Sequence, residues 1–224
     1  MKFSKTARIA ILSGVLLFSC LFSQAESDLA QVPKHRIDLF NGKDLSGWSF
    51  CMKSNSEPSR TWTVEGGVIH CTGQPYGYAR TQASYRDYKL TVEWRFVKVA
   101  PHADNSGIFV HVQAPDKVFP KCVEFQGQNQ HQGDLILMAG VGIKGYAPPT
   151  TYHIVATPEK PNEKPIGEWN TYEIIAAADT LKVYVNGKLM NQATECTISS
   201  GSIGIQSEGG DIEVRKMFLE PLPK

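Results

Sequence analysis

Beyond its first 25 residues, this 224-residue chain lacks any convincing amphipathic helix of three turns. It also lacks an apolar run of membrane-spanning length, because the run over residues 9–22 is too short and no other segment approaches that length. No basic run is present, because 23 Lys and Arg residues are scattered among 22 Asp and Glu residues, for a net charge of +1. These absences argue against a helical bundle, a transmembrane protein and a nucleic-acid-binding protein.

The N-terminus has the pattern of an export signal. Lys2, Lys5 and Arg8 precede an apolar run over residues 9–22, and Ser23-Gln24-Ala25 supplies small residues for cleavage. We therefore expect a signal peptide over 1–25, a tether over 26–36 and one domain over 37–224, exported to the periplasm or secreted. The alternative is a lipid anchor on Cys20 in the loose lipoprotein box Leu17-Phe18-Ser19-Cys20, although the bulky Phe18 favours plain cleavage.

Closely spaced cysteines are absent as well. Cys51, Cys71, Cys122 and Cys196 remain after cleavage, and no two of them lie close enough for a CxxC zinc clip. Four cysteines in an oxidising compartment allow three pairings, which the sequence does not distinguish. They are interpreted as buried thiols or as a bridge, without a role in chemistry.

What the sequence does contain is a series of short strands separated by glycine-rich turns. Glu65-Gly66-Gly67, Asp179-Thr180, Asn186-Gly187 and Glu208-Gly209-Gly210 are turn signals between alternating segments. The proline-rich stretch over 146–167 is expected to be a long ordered loop. The pattern predicts an all-β jelly-roll sandwich of one domain, in which a curved sheet can hold a ligand.

Two segments, NSGIFVHV and KCVEFQ, are expected to line that curved sheet. Strand alternation places Ile108, Val110 and Val112 on an apolar face, with Val123 and Phe125 in the next strand. The opposite face then carries the amide, imidazole and carboxylate groups of Asn105, His111, Glu124 and Gln126. Gln206 and Glu208 are expected on this face as well, because the alternation in their strand directs Ile203 and Ile205 toward the core. Such a lining is typical of a ligand pocket.

Four further blocks accompany these segments: DLFNGKDLSGW at 38–48, YRDYKLTVEWRF at 85–96, GEWNTYEI at 167–174 and GSIGIQSEGGDIEVRKMFLEPL at 201–222. Together they cover nearly all of the predicted domain, and the chain resembles the 3-keto-disaccharide hydrolase domain family, first described as DUF1080. The resemblance implies a concanavalin A-like, laminin-G-like sandwich, a carbohydrate ligand and a bacterial, exported protein. It also implies a substrate whose sugar carries a ketone at carbon 3.

Such a substrate changes the chemistry that the site must supply. An ordinary retaining glycosidase on this fold needs two neighbouring carboxylates, and VEFQGQ offers only Glu124. A ketone at carbon 3 acidifies the C2 hydrogen, so one base, one stabiliser of the enolate and one proton donor suffice. The outcome can be hydrolysis or elimination.

We expect Glu124 or His111 to be the base. His131 and Asp134 are candidates for the proton donor or for metal ligands, and Arg80 could stabilise the oxyanion. Asn105, Gln126 and Gln206 would bind hydroxyls or the enolate, while Glu93, Arg95 and Glu208 are placed at the pocket rim by strand parity alone. A divalent ion held by His111, Glu124 and His131 is an alternative to Arg80, although no motif of fixed metal spacing is present.

Each assignment has a structural alternative. Glu124 could pair with Arg95 across the sheet, His111 could be an ordinary polar residue, and His131 and Asp134 could make turn hydrogen bonds. The four tryptophans are interpreted as core, with Trp62 left open as a sugar platform. The alternative function is a non-catalytic carbohydrate-binding module; adhesion to a protein partner is a weaker one.

Overall fold

A computed structural model describes residues 29–97 and 105–223 of the protein. The predicted signal peptide, Cys20 and the first three residues of the tether lie outside the described residues. The described chain is almost entirely β-structure in two antiparallel sheets, as the sequence predicts for a jelly-roll sandwich. Within these ranges no helix is long and apolar enough to cross a bilayer.

Seven strands form what we call the front sheet, in the order β10-β9-β8-β7-β14-β5-β2. In chain order its strands are β2 (Trp48–Met52), β5 (Gly77–Thr81), β7 (Gly107–Gln113), β8 (Lys121–Gln126), β9 (Leu135–Met138), β10 (Tyr152–Val155) and β14 (Ser202–Ser207). The two predicted ligand segments, β7 and β8, pair directly with each other at its centre.

The other strands form the back sheet, in the order β13-β12-β11-β6-β15-β4-β3, with β1 also paired to β15. Its strands are β1 (Ile37–Asp38), β3 (Trp62–Glu65), β4 (Val68–Cys71), β6 (Tyr88–Phe96), β11 (Asn170–Ala177), β12 (Thr180–Val185), β13 (Lys188–Ala193) and β15 (Ile212–Pro221). Two short 3-10 turns, Lys53–Asn55 and Pro58–Arg60, separate β2 from β3.

The main core lies between the sheets and follows the alternation of the strands. Leu90, Val92 and Trp94 of β6 pack in it with Val123 and Phe125 of β8, all essentially inaccessible to solvent. Burial of such side chains is the main favourable term in folding. Trp62 is also buried in this core, which excludes it as a sugar-stacking platform.

A hydrogen bond ties the back sheet to the end of β8. The ring of Tyr172 in β11 makes an edge contact with Trp94, at 5.5 Å between ring centroids. Its hydroxyl donates to the carbonyl of Gln126 over 2.7 Å. The Gln126 backbone, and with it the polar end of β8, is therefore fixed from beneath by a buried group.

The predicted turns connect the strands with one small shift. Gly66-Gly67 joins β3 to β4, and Asn186-Gly187 joins β12 to β13, with φ of 50° and 83° at Asn186 and Gly187. Both residues of the second turn lie in the left-handed region, which Asn and Gly adopt most readily. The turn predicted at Asp179-Thr180 is formed by Ala178-Asp179 instead.

The expected loop over 146–167 is wrong in one part, because it contains strand β10. Tyr152–Val155 pairs with β9 in register, with Tyr152 opposite Met138 and Ile154 opposite Ile136. Four residues between two proline-rich stretches give too short an alternation to indicate a strand. The pairing with β9 is what makes this segment extended.

A bulge in β7 reverses the predicted alternation after Val110. The pairing of β7 with β8 shifts between Val110 and Gln113, and His111 has a φ of +56°. One extra residue in a strand turns every later side chain to the opposite face. Val112 consequently packs on the outer face of the front sheet with Phe109, whereas His111 contacts Tyr88 of the back sheet, at 6.0 Å between rings.

Candidate functional site

A cavity of about 640 Å³ opens on the outer face of the front sheet. This volume lies within the usual range of small-molecule pockets. It is formed by β8, β9, β10, the end of β14 and the loop between β7 and β8. Its lining residues are Asn105, Lys117, Phe119, Glu124, Gln126, Gln128, Ile136, Met138, Ala139, Thr150, Thr151, Tyr152, Ile154, Gln206 and Glu208. Five of the residues singled out in the sequence meet here: Asn105, Glu124, Gln126, Gln206 and Glu208.

Glu208 is held by two amide groups. Its Oε2 accepts a hydrogen bond from Asn105 Nδ2 and another from Gln206 Nε2, each over 2.8 Å. Burial raises the pKa of Glu208 above its ordinary value of 4.5, and the Gln206 hydrogen bond opposes that rise. Donors directed at one oxygen favour the ionised carboxylate. Glu208 is therefore the carboxyl group in this cavity that is better suited to carry a negative charge.

Glu124 has a very different environment. It is only 3% exposed, and its Oε1 atom has no hydrogen-bond partner. Burial raises its pKa well above the ordinary value, and the charge of Glu208 adds to the rise. A buried carboxyl group without donors is more stable when protonated. The cavity thus contains two carboxyl groups whose surroundings favour different protonation states.

The absence of a side chain at Gly107 makes room for the Glu124 carboxyl group. Gly107 lies opposite Gln126 in the pairing of β7 with β8, two residue pairs from Glu124. A Cβ atom at this glycine would lie 2.2 Å from Glu124 Oε1. The NSG sequence that begins the segment therefore has a structural purpose that the alternation pattern alone does not reveal.

Apolar side chains form the other side of the cavity. Ile136 and Met138 of β9 and Tyr152 and Ile154 of β10 lie on this side, with Phe119 from the β7–β8 loop. The cross-strand register places Ile136 directly beside Glu124 and Ile154 directly beside Ile136. Glu124 therefore lies at the boundary between a polar and an apolar wall.

The loop between β7 and β8 is fastened across the front sheet by Asp116. Arg80 Nε and Nη2 donate to the two carboxylate oxygens of Asp116 over 2.7 and 2.8 Å, and the Tyr78 hydroxyl donates over 2.9 Å. The Arg80 guanidinium holds the pKa of Asp116 below its ordinary value. This bidentate ion pair fixes the loop that brings Lys117 and Phe119 to the cavity.

The same ion pair corrects the role expected for Arg80. Arg80 is absent from the cavity lining, and its charge is compensated by Asp116. The sequence indicated a cation on the correct sheet, but it did not reveal the aspartate 36 residues further along the chain. Arg80 holds the β7–β8 loop in place through Asp116, whereas Lys117 is the cationic residue that lines the cavity.

We expect Asp116→Ala to loosen this loop. Loss of a bidentate, half-buried ion pair should increase hydrogen exchange of the amides at Gln113 and Lys121, where β7 and β8 pair on either side of this loop, by roughly three- to tenfold. Hydrogen-exchange mass spectrometry measures this directly. Lys144→Ala, which removes an exposed ion pair with Glu195, is the matched control and should leave the loop unchanged. Equal exchange in wild type and Asp116→Ala would show that the loop is held by other contacts.

His111 is outside the cavity, contrary to expectation. The β7 bulge turns its ring into the space between the sheets, where it is fully buried against Tyr88. Burial lowers the pKa of His111 to about 4. It is consequently neutral at physiological pH and is removed from the candidates for the base.

Glu93 lies on the wrong sheet for its expected role. It belongs to β6 of the back sheet, where it pairs with Arg215 and Lys216 over 2.7 and 3.1 Å. Arg95, on the same face of β6, pairs with Glu213, so the alternative pairing of Arg95 with Glu124 is also wrong. The sequence correctly predicted which side chains of β6 face the core. The position of the strand was not predicted, because it depends on pairing with the distant β11 and β15.

His131 and Asp134 make turn contacts and do not line the cavity. Asp134 accepts a hydrogen bond from the Thr157 backbone N–H over 2.6 Å, and the exposed His131 approaches its other oxygen at 3.5 Å. Asp134 therefore fastens the chain that follows β10. The alternative interpretation of these two residues as loop-stabilising groups is the one that fits the structure.

The metal ligand set considered from the sequence is not brought together. His111 is in the core and His131 is in a turn, so neither accompanies Glu124 in the cavity. In the part of the chain that the structure describes, no three His, Cys, Asp or Glu side chains are grouped to hold a metal ion. The four cysteines described are free thiols, three of them buried and Cys51 partly exposed, so the interpretation as a bridge is wrong.

Several lining residues were missed in the sequence. Lys117 and Phe119 lie in a loop without periodicity, and Tyr152 and Ile154 lie in the strand that was interpreted as loop. The only available signal was the apolar alternation of Tyr152 and Ile154 within YHIV. Contacts made by the loop at Asp116 could not be anticipated from local sequence.

Comparison with known proteins agrees with this fold. Residues 35–220 match the family described as the 3-keto-alpha-glucoside-1,2-lyase-like domain. A search among curated protein sequences returned no match. Among solved structures, a Parabacteroides distasonis protein provisionally described as a glycosyl hydrolase is 20% identical, with 89% of this chain and 97% of that chain covered and a TM-score of 0.63.

Two further similar structures have different roles. The carbohydrate-binding module CBM66 of Bacillus subtilis is 13% identical over 78% of this chain and 95% of that one, with a TM-score of 0.55. The β-glucanase of Bacillus licheniformis is 16% identical over 83% and 97%, with a TM-score of 0.54. These likenesses show a jelly-roll fold that both glycosidases and carbohydrate-binding modules use. The family match covers most of the chain, and the protein therefore belongs to the 3-keto-alpha-glucoside-1,2-lyase-like domain family.

Proposed function

We propose that this protein is an exported enzyme that cleaves the glycosidic bond of 3-keto-glycosides by removing the proton at C2 of the oxidised sugar. The observation that carries the proposal is the pair of carboxyl groups in one cavity. Glu208 has two amide donors on one oxygen, and Glu124 has a buried oxygen with none. Family membership supports the substrate class, and the N-terminal pattern supports export.

The reaction needs one base and one acid. The base takes the C2 proton, and the electron pair of the C2–H bond is delocalised into the C3 ketone as an enolate. The enolate then forms the C1=C2 double bond while the C1–O bond breaks, and the acid protonates the departing oxygen. Addition of water across C1=C2 would complete a net hydrolysis, whereas release before that addition makes the protein a lyase.

The environments of the two carboxyl groups favour Glu208 as the base and Glu124 as the acid. The hydrogen bonds from Asn105 and Gln206 favour the ionised form of Glu208 and fix its orientation. Glu124, unpartnered and raised in pKa, retains a proton to give to the leaving group. This differs from the sequence-based expectation, in which Glu124 or His111 was the base and Glu208 lay at the pocket rim.

Lys117 is the residue best suited to stabilise the enolate oxygen. It lines the same cavity, on the loop fastened by Asp116. A cation near a developing oxyanion lowers the barrier to carbon-acid ionisation. In this proposal Lys117 takes the role first considered for Arg80, and Gln126 is left to bind sugar hydroxyls.

A non-catalytic carbohydrate-binding module is the second candidate, because the fold is equally suited to it. A binding module has no need for a buried carboxyl group with a raised pKa, since a hydroxyl-binding group functions better when partnered and exposed. The environment of Glu124 therefore favours catalysis over binding alone.

Incubation with matched substrates separates the two candidates. The purified protein is given a 3-keto-α-disaccharide and the same disaccharide without the ketone, and released sugar is followed by chromatography. Release from the ketone form alone is expected. Release from neither form, with measurable binding of both, would identify a binding module; release from both would exclude the requirement for an acidified C2 proton.

We expect Gly107→Ala to impair this enzyme without unfolding it. The added Cβ would lie 2.2 Å from Glu124 Oε1, so the carboxyl group must move by about 1 Å, which can lower kcat about 10²-fold. Steady-state kinetics measure the loss. The control is Gly204→Ala on β14, whose Cβ would meet Ala79 and Phe109 as its nearest neighbours. Equal kcat for wild type and Gly107→Ala would show that the position of Glu124 is unimportant.

A further inference from the structure

The apolar side of the cavity, which we call the apolar wall, offers few groups that could hydrogen-bond sugar hydroxyls. Of the eight large hydrophobic side chains exposed in the described residues, three line this cavity: Phe119 at 53%, Tyr152 at 61% and Ile154 at 51% exposure. Ile136 and Met138 form the buried floor beneath them. A concentration of exposed apolar groups beside a polar site indicates that a ligand covers them.

The strand register places this wall on one side of Glu124. Phe109, Glu124, Ile136 and Ile154 are consecutive partners across β7, β8, β9 and β10. Adjacent strands are about 4.8 Å apart, so Ile154 is about 10 Å from the backbone of Glu124. The amide groups of Asn105 and Gln206, which bind Glu208, lie on the opposite side of Glu124, just before β7 and in β14.

This arrangement orients a substrate. A leaving-group oxygen must lie within hydrogen-bond distance of Glu124 to receive its proton. The sugar ring with its C2 proton then lies toward Glu208, and whatever the oxygen carries extends over Ile136 toward Tyr152 and Ile154. About 10 Å of apolar floor accommodates one six-membered ring with its attached oxygen.

We propose that the leaving group of the natural substrate is an apolar, ring-containing alcohol, such as a phenol, and that Ile136, Met138, Tyr152, Ile154 and Phe119 bind it. The inference rests on the proposed function for the orientation of the substrate. A second sugar in this place would lose hydration from most of its hydroxyls against the aliphatic side chains of Ile136, Met138 and Ile154. Apart from Ala139, the other lining residues on the segments that carry this wall or follow β8 are Lys117, Gln128, Thr150 and Thr151, too few to replace that hydration.

Binding of uncleavable glycosides tests the wall independently of activity. Phenyl α-glucoside, methyl α-glucoside and maltose lack the C3 ketone, so the proposed chemistry cannot act on them. Isothermal titration calorimetry of the full-length protein should show phenyl α-glucoside binding about tenfold more tightly than the methyl compound. Ile154→Thr should reduce that preference about threefold to fivefold and leave methyl α-glucoside affinity unchanged.

Leu189→Thr is the matched control, because Leu189 is similarly exposed but lies on β13 of the back sheet. It should change neither affinity. Equal affinity of the wild type for the phenyl and methyl compounds would overturn the inference, as would maltose binding as tightly as phenyl α-glucoside. No detectable binding of phenyl α-glucoside at millimolar concentration would also overturn it. If no 3-keto-glycoside is cleaved but the phenyl preference depends on Ile154, only the proposed function fails.

Discussion

Glu124→Gln is expected to lower kcat on a 3-keto-glycoside by about 10²- to 10⁴-fold, because the amide cannot protonate the departing oxygen. Gln has nearly the same shape as a protonated Glu, so substrate affinity should change little. Steady-state kinetics with a poor leaving group, such as a second sugar, show the effect most clearly. Substrates that leave readily as anions should be much less affected, since they need less assistance from an acid.

Glu93→Gln is the control for this substitution, since Glu93 is a glutamate on the back sheet that pairs with Arg215 and Lys216. It should retain wild-type kcat. Glu124→Gln with undiminished kcat on a disaccharide substrate would remove Glu124 from the reaction.

Glu124→Gln should also be more stable than the wild type at neutral pH. The folded protein binds a proton at Glu124 more tightly than the unfolded chain does, because burial raises the pKa of this group. Its contribution to the free energy of unfolding therefore decreases as pH rises above about 4.5, the ordinary pKa. The Tm advantage of Glu124→Gln should grow from pH 5 to pH 8, at about 2–4 °C for each kcal/mol.

Glu208→Gln is expected to produce a loss of similar size, about 10²- to 10⁴-fold in kcat, for a different reason. Without the carboxylate no group in the cavity is placed to accept the C2 proton. The loss should be as large for good leaving groups as for poor ones, because proton removal precedes departure. This dependence on the leaving group distinguishes the base from the acid.

The pH profile gives a second test of Glu208. Activity should increase with pH through a pKa above 4.5, since burial raises the pKa of this carboxyl group. Gln206→Ala removes a hydrogen bond that opposes the rise and should move this limb of the profile to higher pH. An unchanged profile in Gln206→Ala, or a Glu208→Gln variant that retains kcat, would contradict the assignment.

The alternation of apolar and polar residues predicted which face of most strands packs in the core. Leu90, Val92 and Trp94 in β6, and Val123 and Phe125 in β8, lie in the core as the two-residue period predicts. The same rule brought Glu124, Gln126 and Gln206 to one cavity. It succeeds because a residue on the wrong face of a buried strand would cost the burial of a polar group.

The rule failed where the fold depends on distant contacts. The bulge that removes His111 from the cavity requires close approach to the chain at Gly201, where a Cβ would lie 2.5 Å from the His111 carbonyl carbon. Gly201 is 90 residues away in sequence, so nothing near His111 indicates the bulge. The prediction for Glu93 was wrong for a similar reason, since the alternation of a strand does not reveal which sheet it joins.

The site was incomplete for a related reason. Tyr152 and Ile154 reach the cavity only because β10 pairs with β9, and Lys117 and Phe119 only because Asp116 binds Arg80. In each pairing one partner, the YHIV segment or the loop at Asp116, is too short or too irregular to be placed by its own sequence pattern. The sequence therefore revealed polar site residues in strands with clear alternation. It did not reveal site residues whose position depends on contacts between distant segments.

Reaction in deuterium oxide tests removal of the C2 proton most directly. The product of a 3-keto-glycoside cleaved by the wild-type protein is analysed by NMR at C2, with C4, the other carbon beside the ketone, as the internal measure of spontaneous exchange. Glu208→Gln and a sample without protein serve as blanks. We predict that cleavage and loss of the original C2 hydrogen occur together, with C4 exchanging only at the blank rate. Cleavage by the wild type with the C2 hydrogen retained would contradict the account.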